Sequence, residues 1–195
     1  MLDLILKYGL THDSPLGHAQ FTFTLDGVSR ACTHQIVRNQ VGATYSQKSQ
    51  RYVTETGQFE YYTPDKIKTG DELGESYDNF MEYCQYFYDQ LIKKGIPAEE
   101  ARYILPNAAT SSMTVSYTLR ALINVANLRL CTKAQKEIRD VVKQMCELVI
   151  EKEPWLAEFL APKCYKLGHC DEKNGCGIFP AKVKHGKIIG KRGNR

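Results

Sequence analysis

Two hydrophobic rhythms lie side by side in this chain, and together they restrict its architecture. From His18 to Asp26 the sequence HAQFTFTLD alternates, placing Phe21, Phe23 and Leu25 on one face, the period of a half-buried strand. Lys133 to Lys152 (KAQKEIRDVVKQMCELVIEK) instead follows a helical period, with Ile138, Val142, Met145 and Val149 turned inward. Asp71 to Lys94 reads as a second long amphipathic helix, with Leu73, Phe80, Tyr83, Phe87 and Leu91 on one side. Gly95 is its stop, and Pro97 opens a further helix through Glu99, Glu100 and Ala101. Gly27 is expected to break the first strand. Val28 to Gln40 then reads as a helix, with Val28, Cys32, Ile36 and Val37 near helical spacing and Ser29 as its cap.

Residues 41–52 read as a polar loop leading into a short strand, Met113, Val115 and Tyr117 as another strand, and Leu119 to Leu130 as a helix. A short helix follows Pro154 and Trp155. Strands mixed with long helices imply an α/β, more closely α+β, domain in which a mixed sheet packs against long helices. No internal repeat and no low-complexity linker divides the chain. The expectation is one domain over residues 1–176 and a basic C-terminal tail over 177–195.

Composition narrows the function classes. With 43% hydrophobic and 25% charged residues, the 195-residue chain is neither disordered nor fibrous. Its net charge of +4 is unevenly placed. Six basic side chains and no acidic one lie between Gly177 and Arg195, which leaves the body slightly acidic. The body is therefore no nucleic-acid binder on charge, and only the tail has the sign for it. No apolar run reaches the roughly 18 residues that span a bilayer. The start, MLDLILKYGL, lacks the basic region and cleavage site of a signal peptide. Seven cysteines, an odd number, argue for a reducing compartment, and a cytoplasmic protein is expected.

Three features can carry chemistry. His34, Gln35 and Arg38 lead into Ser46–Tyr52 (SQKSQRY), where Ser46, Gln47, Ser49 and Gln50 stand beside Arg51. Gln35 and Arg38 lie three apart and are expected to share a helix face. Arginine binds phosphate bidentately while Gln and Ser read neutral edges, so the stretch suits a phosphorylated ligand with amide-like groups. The other reading is a solvated polar loop. Arg102, Arg120 and Arg129 lie in otherwise apolar segments, where each either meets an anion or snorkels to the surface. Cys164, His169, Cys170 and Cys176 form the third feature. The spacing C-x5-C-x5-C is no standard zinc pattern, so free thiols stand beside a structural metal as readings. G-x-G-x-x-G, P-loop, H-E-x-x-H and G-x-S-x-G motifs are missing, so standard nucleotide-fold and hydrolase readings have no support.

The succession HDSPLGHAQFTFTLDGVSRACTHQIVRNQ, YSQKSQRYV, ARYILP and RALINVANLRLCTKAQKEIR resembles the flavin-dependent thymidylate synthases over about His12 to Cys176. The resemblance implies a homotetrameric α/β protein with active sites at subunit interfaces. It implies transfer of a methylene group from methylenetetrahydrofolate to C5 of dUMP, with reduced FAD as hydride donor and NADPH as reductant. Gln35, Arg38, Gln47, Ser49, Gln50, Arg51, Arg102 and Arg129 match the family's dUMP-binding positions. Ser49 and Arg129 are the residues it implies for the chemistry, Arg129 as a fixed charge beside the pyrimidine ring.

Ser14, Arg120 and Asn124 match flavin contacts. The signature Arg-His-Arg reads Arg38-Asn39-Gln40 here, so Asn39 and Gln40 stand at the cofactor-facing positions. Gly17 replaces a usual Glu, Thr118 a usual Asn, and Lys133 a residue that is often His or Asn-like. The nucleotide pocket is thus expected intact and the flavin pocket remodelled. That contrast keeps two alternatives open. One is C5 methylation or hydroxymethylation of UMP or dCMP with weakened or no flavin dependence. The other is a non-catalytic nucleotide-binding protein whose basic tail is either a disordered solubilising end or a nucleic-acid arm.

Overall fold

The computed structural model describes residues 14–68, 70–184 and 187–189. The first ten residues, read above for a leader, lie outside them, as does His12. Three strands, β1 (Gln20–Ser29), β2 (Ala43–Gln47) and β3 (Thr110–Thr118), form a sheet in the order β1-β3-β2. The helices are α1 (Arg30–Ile36), α2 (Glu72–Lys93), α3 (Ala98–Ala101), α4 (Leu119–Arg129), α5 (Lys136–Lys152) and α6 (Lys163–Leu167). A hairpin, β4 (Lys182–Lys184) with β5 (Lys187–Ile189), pairs antiparallel within the basic tail. A disordered end therefore does not describe this part of the tail. The α+β expectation holds, but the three-stranded sheet is antiparallel and not mixed. The Lys48 N–H bonds the Ser112 carbonyl while the Thr118 N–H bonds the Gly42 carbonyl. Likewise the Arg30 N–H bonds the Ala109 carbonyl while the Leu119 N–H bonds the Ala19 carbonyl, so paired residues run in opposite senses. The described residues divide into two compact units, one within 22–38 and 44–115, the other within 14–21, 39–43 and 116–189.

In the first of these units, β1 runs through Gly27 to Ser29 instead of breaking. Gly27 takes a left-handed backbone (φ +64°), which glycine tolerates at no steric cost, so the strand bends there and continues. Ser29 does cap α1, accepting the Cys32 N–H at 3.0 Å. The helix ends at Ile36, with Val37 as its C-cap. Gln35 is thus in the last turn and Arg38 beyond it, so the two do not share a helix face as expected.

Asp71 caps helix α2, its carboxylate accepting the N–H groups of Leu73 and Gly74 at 3.1 and 3.2 Å. Gly95, at φ +79°, ends that segment as the sequence foretold. The buried stripe differs from the expected one. Met81, Cys84, Gln85 and Tyr88 face inward, while Leu73, Phe80, Tyr83 and Phe87 are exposed. Polar anchoring decides this. Gln85 accepts the Phe59 N–H at 2.7 Å and donates to the Glu55 carbonyl at 2.9 Å, and the Tyr88 hydroxyl accepts the Glu55 N–H at 3.2 Å. These bonds seat residues 55–59 on the helix, where Phe59, Met81, Cys84 and Ala109 form a small core.

In the other unit α4 packs against α5, and α5 against the 3-10 turn Pro154–Glu158. Ile138, Val142, Met145 and Val149 are buried as their spacing predicts, with Leu122, Val125 and Leu156. Helix α5 starts at Lys136, so Lys133 precedes it.

Candidate functional site

The candidate residues fall into two groups, one in each packing unit. In the unit that holds α1 to α3, a polar cluster gathers around Glu99. The Glu99 carboxylate accepts from Arg51 Nε and Nη2 at 3.2 and 2.9 Å, and the Glu99 backbone carbonyl accepts from Arg102 Nε at 3.2 Å. Arg51 lies against the Tyr52 ring at 5.4 Å and Arg102 against the Tyr103 ring at 5.9 Å. The bond to Glu99 holds the Arg51 guanidinium above its usual pKa.

Arg30 belongs to the same electrostatic group. Burial, and then the positive charge of Arg102, push its pKa down. Sequence reading missed Arg30 because it opens a helix and follows a cap, where a basic residue reads as ordinary surface. Arg51 and Arg102 on Glu99, with Arg30 within the field of Arg102, carry an excess positive charge suited to a phosphate.

The loop leading to Arg51 is held by its own bonds. Gln47 Nε2 donates to Thr33 Oγ1 at 3.0 Å, and Lys48 pairs with Glu55 at 2.8 Å. Ser49 Oγ accepts the Arg51 N–H at 3.3 Å and the Ser49 carbonyl accepts the Val53 N–H at 3.1 Å, a turn that aims Arg51. The Ser49 hydroxyl proton remains available to a ligand. Gln50 is buried, Gln35 half-buried and Arg38 exposed. In this stretch Gln50 is buried and Gln47 and Ser49 are half-buried, while Ser46, Lys48 and Arg51 are exposed as in a solvated loop.

The second group surrounds a cavity of about 650 Å³ whose lining includes Ser14, Arg120 and Asn124, the three positions matched to flavin contacts. Gly17 and Thr118, two of the sites that depart from the family pattern, line it as well, beside His18 and Asn127. Thr118 caps α4 by accepting the Ala121 N–H at 3.2 Å, and its own N–H donates to the Gly42 carbonyl at 2.8 Å. Gly42 has φ +72°, and a Cβ there would stand 2.6 Å from Thr118 Oγ1. Only glycine lets the segment carrying Asn39 and Gln40 approach the helix start this closely. A Cβ at Gly17 would meet nothing within 4 Å, so the missing Glu leaves open space.

The cavity wall combines a guanidinium, an imidazole, two carboxamides and the N-terminus of an eleven-residue helix. That donor set fits a cofactor with a diphosphate and a hydrogen-bonding ring system. Asn39 is half-buried and Gln40 exposed, and neither is among the residues lining the cavity. Arg120 is exposed, whereas Arg129, at the end of α4, is half-buried with its Nε buried.

Comparison with known proteins decides the family. A family profile described as "Thymidylate synthase complementing protein" matches residues 1–155. The chain is 41% identical over 181 residues to the "Flavin-dependent thymidylate synthase" of Pyrococcus abyssi, covering 88% of this chain and 72% of that one. This chain belongs to the flavin-dependent thymidylate synthase family. The protein of the same name from Geobacter sulfurreducens is 40% identical over 172 residues, 88% of this chain and 72% of its own. That from Clostridium tetani is 36% identical over 187 residues, 88% of this chain and 73% of its own. Among the described residues no helix is long and apolar enough to cross a membrane.

Proposed function

We propose that this protein is a flavin-dependent thymidylate synthase, moving the one-carbon unit of methylenetetrahydrofolate to C5 of dUMP with NADPH as reductant. The observation that carries the reading is the cavity that gathers Ser14, Arg120 and Asn124 at the start of α4. Ser14, Arg120 and Asn124 would hold FAD there, with Asn39 and Gln40 on the segment that Gly42 seats. Bound in this cavity, FAD would supply the hydride that completes the methyl group.

Arg51 and Arg102 take the phosphate, with Arg30 adding to the field and Arg38 a further cation for the nucleotide. Gln35, Gln47 and Gln50 each offer both a donor and an acceptor, which matches the mixed edge of a uracil ring and the sugar hydroxyl. Ser49 donates its hydroxyl proton to the nucleotide while its oxygen holds the Arg51 turn. Arg129 stabilises negative charge that grows on the ring oxygen as C5 becomes nucleophilic, a pre-placed cation in a half-buried setting. Arg38→Ala and Arg129→Ala are each expected to abolish turnover with the fold intact, and retained turnover in both would overturn these roles.

The exposed aromatic face of α2, with Phe80, Tyr83, Tyr86 and Phe87, supports assembly into a homo-oligomer, which we take to be the tetramer implied by the family. Light scattering on Tyr83→Glu tests that face. Seven free cysteines fit a cytoplasmic setting.

A second reading is favoured by Gly17 and Thr118 lying in the cavity wall. With no carboxylate at the first position and no carboxamide at the second, the wall offers a flavin fewer polar partners and holds it less firmly. Weaker flavin binding favours hydroxymethylation, which needs no net reduction, or a different pyrimidine nucleotide such as UMP or dCMP. The deciding experiment is the visible spectrum of the protein with FAD, with and without dUMP, followed by product mass. A retained flavin band that shifts with dUMP, and a product heavier by CH2, supports thymidylate synthesis. No retained flavin and a product heavier by CH2O overturns it.

A further inference from the structure

Four of the seven cysteines, Cys131, Cys164, Cys170 and Cys176, line one cavity of about 180 Å³ in the unit that holds α4 and α5. They come from two distant stretches. Cys131 lies just beyond α4, while the other three sit on α6 and the loop behind it. That loop is tied down. Lys163 Nζ pairs with Asp171 at 2.6 Å, and the Cys170 N–H donates to the Pro180 carbonyl at 2.7 Å. Gly175 passes so close that a Cβ there would stand 3.0 Å from Cys170 Sγ. The loop that carries Cys170 and Cys176 is thus held in place behind α6.

Their chemical states diverge. Cys176 is exposed, and hydrogen bonds at Ile178 and from Thr132, with the charge of Lys133, lower its pKa and favour the thiolate. Cys164 is half-buried, and burial together with Cys131, Cys170 and Cys176 raises its pKa. Cys146, buried in the core and pushed up to about 12, shows the inert extreme. An exposed thiol and a half-buried one that line the same cavity are placed as an attacking and a resolving cysteine would be. Among the described residues, no group of three or more His, Cys, Asp or Glu side chains is placed to hold a metal ion.

We propose that Cys176 is a peroxide-reactive thiol that Cys164 resolves into an intramolecular disulfide. The Cys176 thiolate attacks one oxygen of hydrogen peroxide, the O–O bond breaks, and hydroxide leaves to become water, giving a sulfenic acid. Cys164 then loses its thiol proton and attacks that sulfur. An S–S bond forms, the S–O bond breaks, and a second water leaves. Two thiols are oxidised by two electrons in all, and one peroxide is reduced to two waters.

The test treats the full chain with hydrogen peroxide, counts thiols after denaturation, and maps peptides without reductant. Expected is the loss of two thiols, a crosslink between the Cys164 and Cys176 peptides, and reversal by dithiothreitol. Cys164→Ser should stop at a Cys176 sulfenic acid that dimedone traps, and Cys176→Ser should abolish the fast reaction. Iodoacetamide labelling of the unaltered protein gives a readout independent of these variants, with Cys176 modified first. Equal labelling of Cys146, a crosslink through Cys131 or Cys170 in place of Cys164, or protein carrying one equivalent of zinc with its thiols protected would each overturn the proposal.

Discussion

One oxygen of Glu99 receives both Nε and Nη2 of Arg51, at 3.2 and 2.9 Å, across 48 residues of chain. The carboxylate thus occupies the guanidinium edge that a phosphate would take. Both side chains are about half exposed, so solvent screens the pair and it is weak. A nucleotide phosphate carrying more charge can displace it.

Removing the Glu99 charge should therefore help the ligand. Glu99→Gln is expected to tighten dUMP binding by up to about fivefold. Calorimetry with dUMP, and with deoxyuridine as the phosphate-free control, checks this. Weaker dUMP binding would mean that Glu99 orients Arg51 for the ligand and does not compete with it.

Gly42 carries the second prediction. Its Cβ would combine a left-handed backbone, costing roughly 1–2 kcal/mol, with displacement of the Thr118 hydroxyl that caps α4, worth about 1 kcal/mol. Gly42→Ala should lower stability by about 2–3 kcal/mol in urea unfolding. Gly27→Ala serves as the control, because its Cβ meets open space and only the backbone cost of about 1–2 kcal/mol applies. Equal losses in the two variants would refute the close-approach argument. A parallel loss of FAD retention in Gly42→Ala alone would link the glycine to the cofactor cavity.

Periodicity made the elements legible but not every buried face. In α5 the inward side chains are aliphatic and the reading holds at Ile138, Val142, Met145 and Val149. In α2 the largest apolar side chains mislead, because Gln85 and Tyr88 are chosen for burial by the backbone groups they satisfy at Glu55 and Phe59. Hydrophobic period cannot register a partner that lies in an irregular segment. Similarly, Arg51 and Arg102 were visible as candidates, whereas Arg30 and Glu99 emerge only once α1 and α3 are folded. The strand that continues through Gly27 shows the same limit, since a glycine marks a bend as readily as an end.

Gln85 tests that account of α2. Gln85→Leu keeps the size and removes both bonds to the segment at 55–59, leaving the buried Phe59 N–H without its acceptor. An unsatisfied buried donor costs about 1–3 kcal/mol, so the urea midpoint should fall accordingly. If burying leucine in its place raises stability, hydrophobic content and not polar anchoring sets the face of α2.

Tyr61 makes the last prediction, on alkaline stability. Burial, and then the hydrogen bond its hydroxyl donates to Asp78 at 2.9 Å, push the phenol from 10 up to about 12, aided by the charges of Asp78 and Glu82. The unfolded chain therefore ionises Tyr61 more readily than the folded one. The stability contributed by the neutral phenol is complete below about pH 10 and is lost as pH rises through the folded value near 12. Tyr61→Phe has no proton to lose. Its Tm should start lower, because the bond to Asp78 is gone, and the gap to the unaltered protein should be constant below pH 10 and close between about 10 and 12. A gap that stays the same across that window would show that Tyr61 ionises alike in the folded and unfolded chain, and that Asp78 does not hold its proton.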